Sequence, residues 1–282
     1  MNVYDVRKNK RERMVIRIGI AAGILLGGYL AVCLLVFFSQ DGLIFPRSWN
    51  DRELVERFNS DRVQIYSDGE SLEGWWIERP AAKNEILLIY FGGNAEDVLM
   101  TAGTDALDAS RIFLVNYRGY GRSTGEPSQR VLYRDALRIY DYAVRERHIE
   151  PRNIVLMGRS LGAAVATMLS ASRPVAGVVL VTPFDSMVSV ASQHYSYLPV
   201  RWLLRHPFPS DEWAQKDSAP VLILAAERDG IIPPAHAKRL FDVWRGPKQF
   251  RLVNGVGHND VQTAPEYYDS INAFMRVLNQ TR

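Results

Sequence analysis

Strands alternating with helices along most of the chain predict an α/β protein, built on a mostly parallel sheet with helices on both faces. Three observations carry that expectation. Apolar runs of strand length recur at residues 86–91, 112–116, 154–157, 178–181 and 221–225, as in strands covered on both sides. Stretches of helical spacing separate them, the clearest placing Leu132, Ala136, Ile139, Tyr140 and Ala143 on one face. Finally, the run ending at Met157 passes through Gly158-Arg159-Ser160-Leu161-Gly162 into a helix of small residues, Ala163, Ala164 and Ala166 among them.

The chain has 282 residues, enough for one α/β domain and an N-terminal appendage. Its apolar share of 47% is that of a globular protein. The first seventeen residues carry Arg7, Lys8, Lys10, Arg11, Arg13 and Arg17 against Asp5 and Glu12. They therefore hold more than the whole net charge of +3, and the remainder is close to neutral. A near-neutral domain offers no basic stripe, which argues against nucleic acid as a partner.

Residues 18–38 are uninterrupted apolar or small, long enough to cross a hydrocarbon core as a helix. The run is too long for a signal-peptide core, and no A-x-A-like site follows it, so a retained anchor is expected. The bulky Val32 and the apolar continuation through Phe38 also argue against a lipoprotein box around Cys33. Lys and Arg resist translocation and concentrate before the span, which places the tail in the cytoplasm and the main domain outside, periplasmic at an inner membrane. Cys33 is the only cysteine, so the folded domain has no disulfide. The expected organisation is a basic tail at 1–17, a transmembrane helix at 18–38, a connector at 39–60 and the main domain at 61–282.

Within that domain, residues 63–66 and 73–77 read as a hairpin joined by Ser67-Asp68-Gly69-Glu70. A short helix is expected around 52–58, a longer one near 96–109, and others near 235–244 and 265–278, with a last strand at 249–253. An aromatic-rich insertion at about 183–220 separates two of the core strands.

Gly-x-Ser-x-Gly between strand and helix is the nucleophile elbow, whose sharp turn pushes the serine hydroxyl above the sheet. Gly158 and Gly162 lack bulk where the chain nearly touches its neighbours. A serine hydroxyl is a weak nucleophile at neutral pH and needs a base, itself oriented by a buried carboxylate. Asp229 lies in Glu227-Arg228-Asp229-Gly230, just past one late strand, and His258 lies in Gly255-Val256-Gly257-His258, just past the next. Glu227, Asp185 and Asp260 are rival carboxylates, with Asp229 ranked first.

These segments resemble the α/β-hydrolase superfamily, in which acid and histidine follow the serine in that order. The resemblance implies an α/β-hydrolase fold with an eight-stranded sheet and a short helical cap formed by the insertion. It implies Ser160 as nucleophile, His258 as general acid/base and Asp229 as orienter. Phe91-Gly92-Gly93-Asn94-Ala95 resembles the family's His-Gly-Asn-Ala loop, with Gly92 where histidine usually stands. By that alignment the oxyanion hole is the backbone N–H of Leu161 and of Asn94. Arg118-Gly119-Tyr120-Gly121-Arg122-Ser123 looks like the superfamily's Arg-Gly-x-Gly-x-Ser loop, read as structural, with Arg118 tied to nearby carbonyls.

With the anchor and the run 195–208, the chain resembles the single-span membrane hydrolases of the bud-emergence-suppressor type from about Leu43 onward. Most cap aromatics are expected in the cap core. The expected activity is hydrolysis of carboxyl esters or thioesters, on a small-molecule or lipid-like acyl substrate. A serine peptidase with the same triad and a non-catalytic scaffold are the alternatives. No cofactor is called for, and His148, His194, His206 and His236 share no metal-ligand spacing. The oligomeric state is left open.

Overall fold

A computed structural model describes the backbone of residues 3–82 and 84–280, and the side chains from residue 12 onward within them. The side chains of Arg7, Lys8, Lys10 and Arg11, the greater part of the basic tail, lie outside that description. Helix α1, Val3–Ile44, contains the apolar run and continues through the first part of the expected connector. Its segment Glu12–Ile44 is long and apolar enough to cross a membrane, and 6% of its most apolar window is buried. Helix α2, Arg52–Arg57, begins at Asp51, whose carboxylate accepts from the amides of Glu53 and Leu54.

Eight strands form the sheet: β1 (Arg62–Ser67), β2 (Glu70–Glu78), β3 (Leu87–Phe91), β4 (Arg111–Val115), β5 (Ile154–Arg159), β6 (Gly177–Val181), β7 (Val221–Ala226) and β8 (Lys248–Val253). Their order is β1-β2-β4-β3-β5-β6-β7-β8. Only β2 runs against its neighbours, pairing antiparallel with β1 and β4. The hairpin reverses at Asp68 and Gly69, with φ of 49° and 81°, a left-handed pair that suits the twist of the flanking strands.

Helices α4 (Gln129–Asp141), α5 (Leu161–Ser172) and α9 (Pro234–Val243) cover one face, burying Ala136, Ile139, Ala163, Ala166 and Leu240 with Leu156 and Ile223. The helix α10, Pro265–Gln280, covers the other, packing Tyr267, Ile271, Phe274 and Leu278 against Val155, Val179 and Leu222. Strands β3, β5, β6 and β7 are thus enclosed on both sides, which is why they read as apolar runs rather than alternating ones.

Two expectations are corrected. The helix anticipated at 96–109 is a single turn, α3 (Leu99–Ala102). Beyond it Arg79 takes the backbone carbonyls: Nη2 donates to Ala102 at 2.9 Å and Thr104 at 2.6 Å, and Nη1 to Leu107 at 3.4 Å. The Thr104 hydroxyl accepts from the amide of Ala106 at 3.1 Å. Carbonyls and amides held by side chains are no longer available to a helix.

The second correction concerns the insertion, which forms α6 (Met187–His194), α7 (Val200–Leu203) and α8 (Ser210–Ala214). Phe184 and Phe208 are buried there, but Tyr195, Tyr197 and Trp202 face outward, Trp202 with 85% of its surface exposed.

Candidate active site

Strands β3, β5, β7 and β8 each end at the same edge of the sheet, and the loops leaving those ends carry Asn94, Ser160, Asp229 and His258. In an open α/β sheet the carboxyl ends of the strands are where ligands bind. Ser160 has φ 52° and ψ −114°, a strained backbone for a residue with a side chain. The turn around it is closely packed. A Cβ on Gly158 would stand 2.3 Å from the Gly162 carbonyl oxygen, and one on Gly162 would stand 2.0 Å from that of Phe91. The turn can therefore close only with glycine at both positions. The Ser160 amide donates to the Val181 carbonyl at 2.9 Å, which locks the turn onto β6.

His258 Nδ1 donates to Asp229 Oδ2 at 2.7 Å, with both side chains buried. The other carboxylate oxygen accepts from the amides of Ile231 at 2.9 Å and Ile232 at 2.7 Å. Four lone-pair sites are thus largely filled, and the carboxylate cannot turn away from the ring. Adjacency of β7 and β8 explains the meeting, since parallel neighbours release their loops side by side. The rival carboxylates are otherwise occupied. Glu227 accepts from the Gly255 amide and Asp260 from the Gly257 amide, both shaping the turn that carries the histidine. Asp185 binds His236 Nδ1 at 2.6 Å and Arg239 Nε at 2.7 Å. Burial pushes the Asp185 carboxyl up, but hydrogen bonds from His236 and Arg239 outweigh it and hold it well below the usual carboxylate range.

Among the described residues, no hydrogen bond joins Ser160 Oγ to His258; the link between their loops runs through Arg159. Arg159 Nη2 donates to the His258 carbonyl at 2.9 Å. Nη1 lies 3.3 Å from Glu96 Oε2, and that same oxygen accepts from the Gly93 amide at 2.6 Å. Tyr90 Oη donates to Glu96 Oε1 at 2.5 Å. Burial opposes the Arg159 charge, but Glu96 together with Tyr90 and Tyr267 outweighs it and raises the guanidinium pKa. Burial, with Glu96 beside it, also drives the Tyr90 phenol well up. This cluster was not singled out from the sequence, where Arg159 is merely the variable residue of the elbow.

The glycine loop after β3 is tied down by side chains despite Gly92. Tyr117 Oη donates to the Gly92 carbonyl at 2.8 Å, and Ser48 Oγ to the Glu96 carbonyl at 3.0 Å. A Cβ at position 92 would lie 2.9 Å from Val98 Cγ1. Gly93 abuts the serine, its would-be Cβ 3.6 Å from Ser160 Cβ. Its amide is committed to Glu96, whereas those of Asn94 and Leu161 donate to no protein group among the described residues.

The Arg-Gly-x-Gly-x-Ser loop departs from its reading in one respect. Arg118 grips the buried Asp135 in two places, Nε to Oδ2 at 2.8 Å and Nη2 to Oδ1 at 2.7 Å, and bonds one carbonyl, that of Ser67 at 3.1 Å. Its main partner is a carboxylate, and the loop is a structural clamp. Gly119 and Gly121 adopt φ of 75° and 52° as expected of glycine.

Similarity to known proteins agrees with this architecture. The pattern of an alpha/beta hydrolase family matches residues 91–218. An uncharacterized protein of Mycobacterium tuberculosis is 37% identical over 228 residues, 78% of this chain and 79% of its own length. The alpha/beta hydrolase domain-containing protein 17B of Xenopus laevis is 30% identical over 205 residues, covering 70% of this chain and 67% of that protein. An alpha-beta hydrolase from Vibrio vulnificus superposes with a TM-score of 0.71 at 18% identity, over 85% of this chain and 93% of the other. A Pyrococcus furiosus esterase superposes with a TM-score of 0.63 at 16% identity, over 84% and 97%. The chain belongs to the α/β-hydrolase family.

Proposed function

We propose that the protein is a membrane-anchored serine hydrolase that cleaves carboxyl ester or thioester bonds through an acyl-enzyme on Ser160. The observation that carries the reading is the strained Ser160 elbow set at the same sheet edge as the 2.7 Å Asp229–His258 pair. Ser160 Oγ attacks the acyl carbonyl carbon while His258 Nε2 takes the hydroxyl proton. Asp229 keeps the Nδ1–H tautomer in place and stabilises the imidazolium that forms. The oxyanion is received by the amides of Leu161 and Asn94, each donor contributing about 3 kcal/mol to lowering the barrier. As the intermediate collapses, His258 returns the proton to the departing alcohol or thiol. Water then attacks the acyl-enzyme by the same route in reverse, regenerating Ser160.

The anchor is Glu12–Ile44, with the tail cytoplasmic and the hydrolase domain on the periplasmic side. An address beside a bilayer favours lipid-like acyl substrates. A fluorophosphonate probe tests the nucleophile: wild type is labelled and Ser160→Ala is not, whereas well-folded wild type that resists labelling removes the catalytic reading. A periplasm-dependent reporter fused at the C-terminus is expected to be active, and a silent one reverses the orientation.

A further inference from the structure

The cap is packed along the apolar helix over a considerable length. Tyr29 Oη, well inside the apolar run, donates to the Tyr197 carbonyl at 3.0 Å. Cys33 is buried with Leu198 and Val200, and Val36 packs beside them. Further on, Gln40 Nε2 donates to the Leu203 carbonyl at 3.1 Å and its Oε1 accepts from the Arg205 amide at 2.7 Å. From Tyr29 to Gln40 the helix rises about 17 Å.

A hydrocarbon core takes about 20 helical residues, and Glu12–Ile44 supplies 33. Residues 14–33 suffice to cross it, with the long Arg17 side chain reaching back to the headgroups at the other end. That leaves Val36 and Gln40 at the level of the headgroups and Tyr29 and Cys33 among the upper acyl chains. The cap's outward surface at that level is aromatic, with Tyr195, Tyr197 and Trp202 exposed by 47%, 66% and 85%. Rings with an apolar body and a polar edge settle at the membrane–water boundary. Between helix and cap lies an apolar cleft of about 290 Å³, walled by Val36, Leu43 and Ile44 on one side and Val190, Leu198 and Leu204 on the other. The Gln40 amide that reaches it is already spent on backbone partners. Facing water, such a cleft is a costly apolar patch; facing lipid, it is not.

We infer that the cap is a membrane-seated surface: Tyr195, Tyr197 and Trp202 pack among the headgroups and upper acyl chains of the leaflet from which α1 emerges, and the cleft opens onto those chains. The inference rests on α1 being the membrane anchor.

The test uses the full chain in liposomes containing phospholipids brominated near the top of their chains, which quench nearby tryptophan. Wild type is expected to lose a component of its emission that is missing from Trp202→Phe. Protein that stays with the liposomes through alkaline carbonate but shows the same bromine quenching in wild type and Trp202→Phe overturns the seating while leaving the anchor intact. Release by carbonate overturns the anchor itself, and the seating with it. Cross-linking between two copies through Tyr197→Cys, with no bromine quenching of Trp202, assigns the surface to a second copy of the chain instead.

Discussion

Arg159 Nη2 donates to the main-chain carbonyl of His258 at 2.9 Å, so the residue beside the serine holds the loop that carries the histidine. The same guanidinium faces Glu96, which holds the Gly93 amide. Serine turn, histidine loop and glycine loop are thereby set against one another by one ion pair. Displacements of about 1 Å at reacting groups cost on the order of 100-fold in rate. Arg159→Met is therefore expected to lower kcat of ester hydrolysis by roughly that factor, with KM little changed. Glu96→Gln is expected to lower it less, since it still offers Gly93 an acceptor. Steady-state kinetics on a p-nitrophenyl ester measures both, and a KM-only effect would show that the pair serves substrate binding instead.

Asp229→Asn leaves room for the ring but removes the acceptor that selects its Nδ1–H tautomer. By analogy with serine triads, kcat is expected to fall by about 10⁴, with the melting temperature moving little by comparison. Fluorophosphonate labelling rates and thermal denaturation separate the two effects.

Gly162→Ala is expected to disrupt the turn itself, because the new methyl would stand 2.0 Å from the Phe91 carbonyl oxygen. Backbone cannot retreat as a flexible side chain does. The expected loss of stability is at least about 3 kcal/mol, the upper range of overpacking costs, read as a lowered urea midpoint with an unchanged slope. Gly230→Ala is the control, since nothing lies within 4 Å of its would-be Cβ.

Asp185 and His236 form a buried pair that the half-exposed Arg239 guanidinium closes from the solvent side, with His236 Nε2 meeting Gln193 Oε1 at 2.8 Å. The Asp185 pKa is depressed in the folded state by its hydrogen bonds to His236 and Arg239. A depressed carboxylate contributes stability above its unfolded pKa of about 3.9, and that contribution is lost as pH falls toward the folded value. Asp185→Ala is expected to cost about 3 kcal/mol at neutral pH, as breaking a buried pair does. The difference from wild type should narrow as pH falls below about 4, as thermal denaturation across that range would show.

A lipid-like acyl substrate predicts chain-length preference. Each methylene buried contributes about 0.8 kcal/mol, so kcat/KM is expected to rise along a series of p-nitrophenyl esters. Ala191 lines the cleft between α1 and the cap, and the same series on Ala191→Phe shows whether the acyl chain enters it. A flattened rise with the acetate ester unaffected places the chain there, and an unchanged rise excludes the cleft as the acyl pocket. An aminoacyl anilide serves as the contrast substrate for peptidase activity.

Much of this architecture is legible in the sequence, and the illegible parts share a cause. Core strands show themselves because burial on both faces makes them locally apolar. Asp229 and His258 stand out because each follows a recognisable strand, and neighbouring strands bring their loops together. Arg159 and Glu96 give no such sign. Their partnership spans distant segments, and a charged residue in either position looks like a solvated one. The stretch 96–109 looked helical by pattern, but its carbonyls were claimed by Arg79, which arrives from β2's far end. The expectation that most cap aromatics lie in the cap core does not extend to Tyr195, Tyr197 and Trp202, because aromatic composition is visible in a sequence and the side of the chain each ring faces is not.

Gln40 reaches the cap with both ends of its amide, and neighbouring Asp41 holds Arg205 at 2.6 Å and His206 at 2.9 Å. Turning the helix by one residue, about 100° about its own axis, would break every one of these contacts. The helix is therefore keyed to the cap in both azimuth and height, rather than trailing from the domain on a loose tether. Whatever tilts or rotates it turns the mouth of the cleft by the same angle.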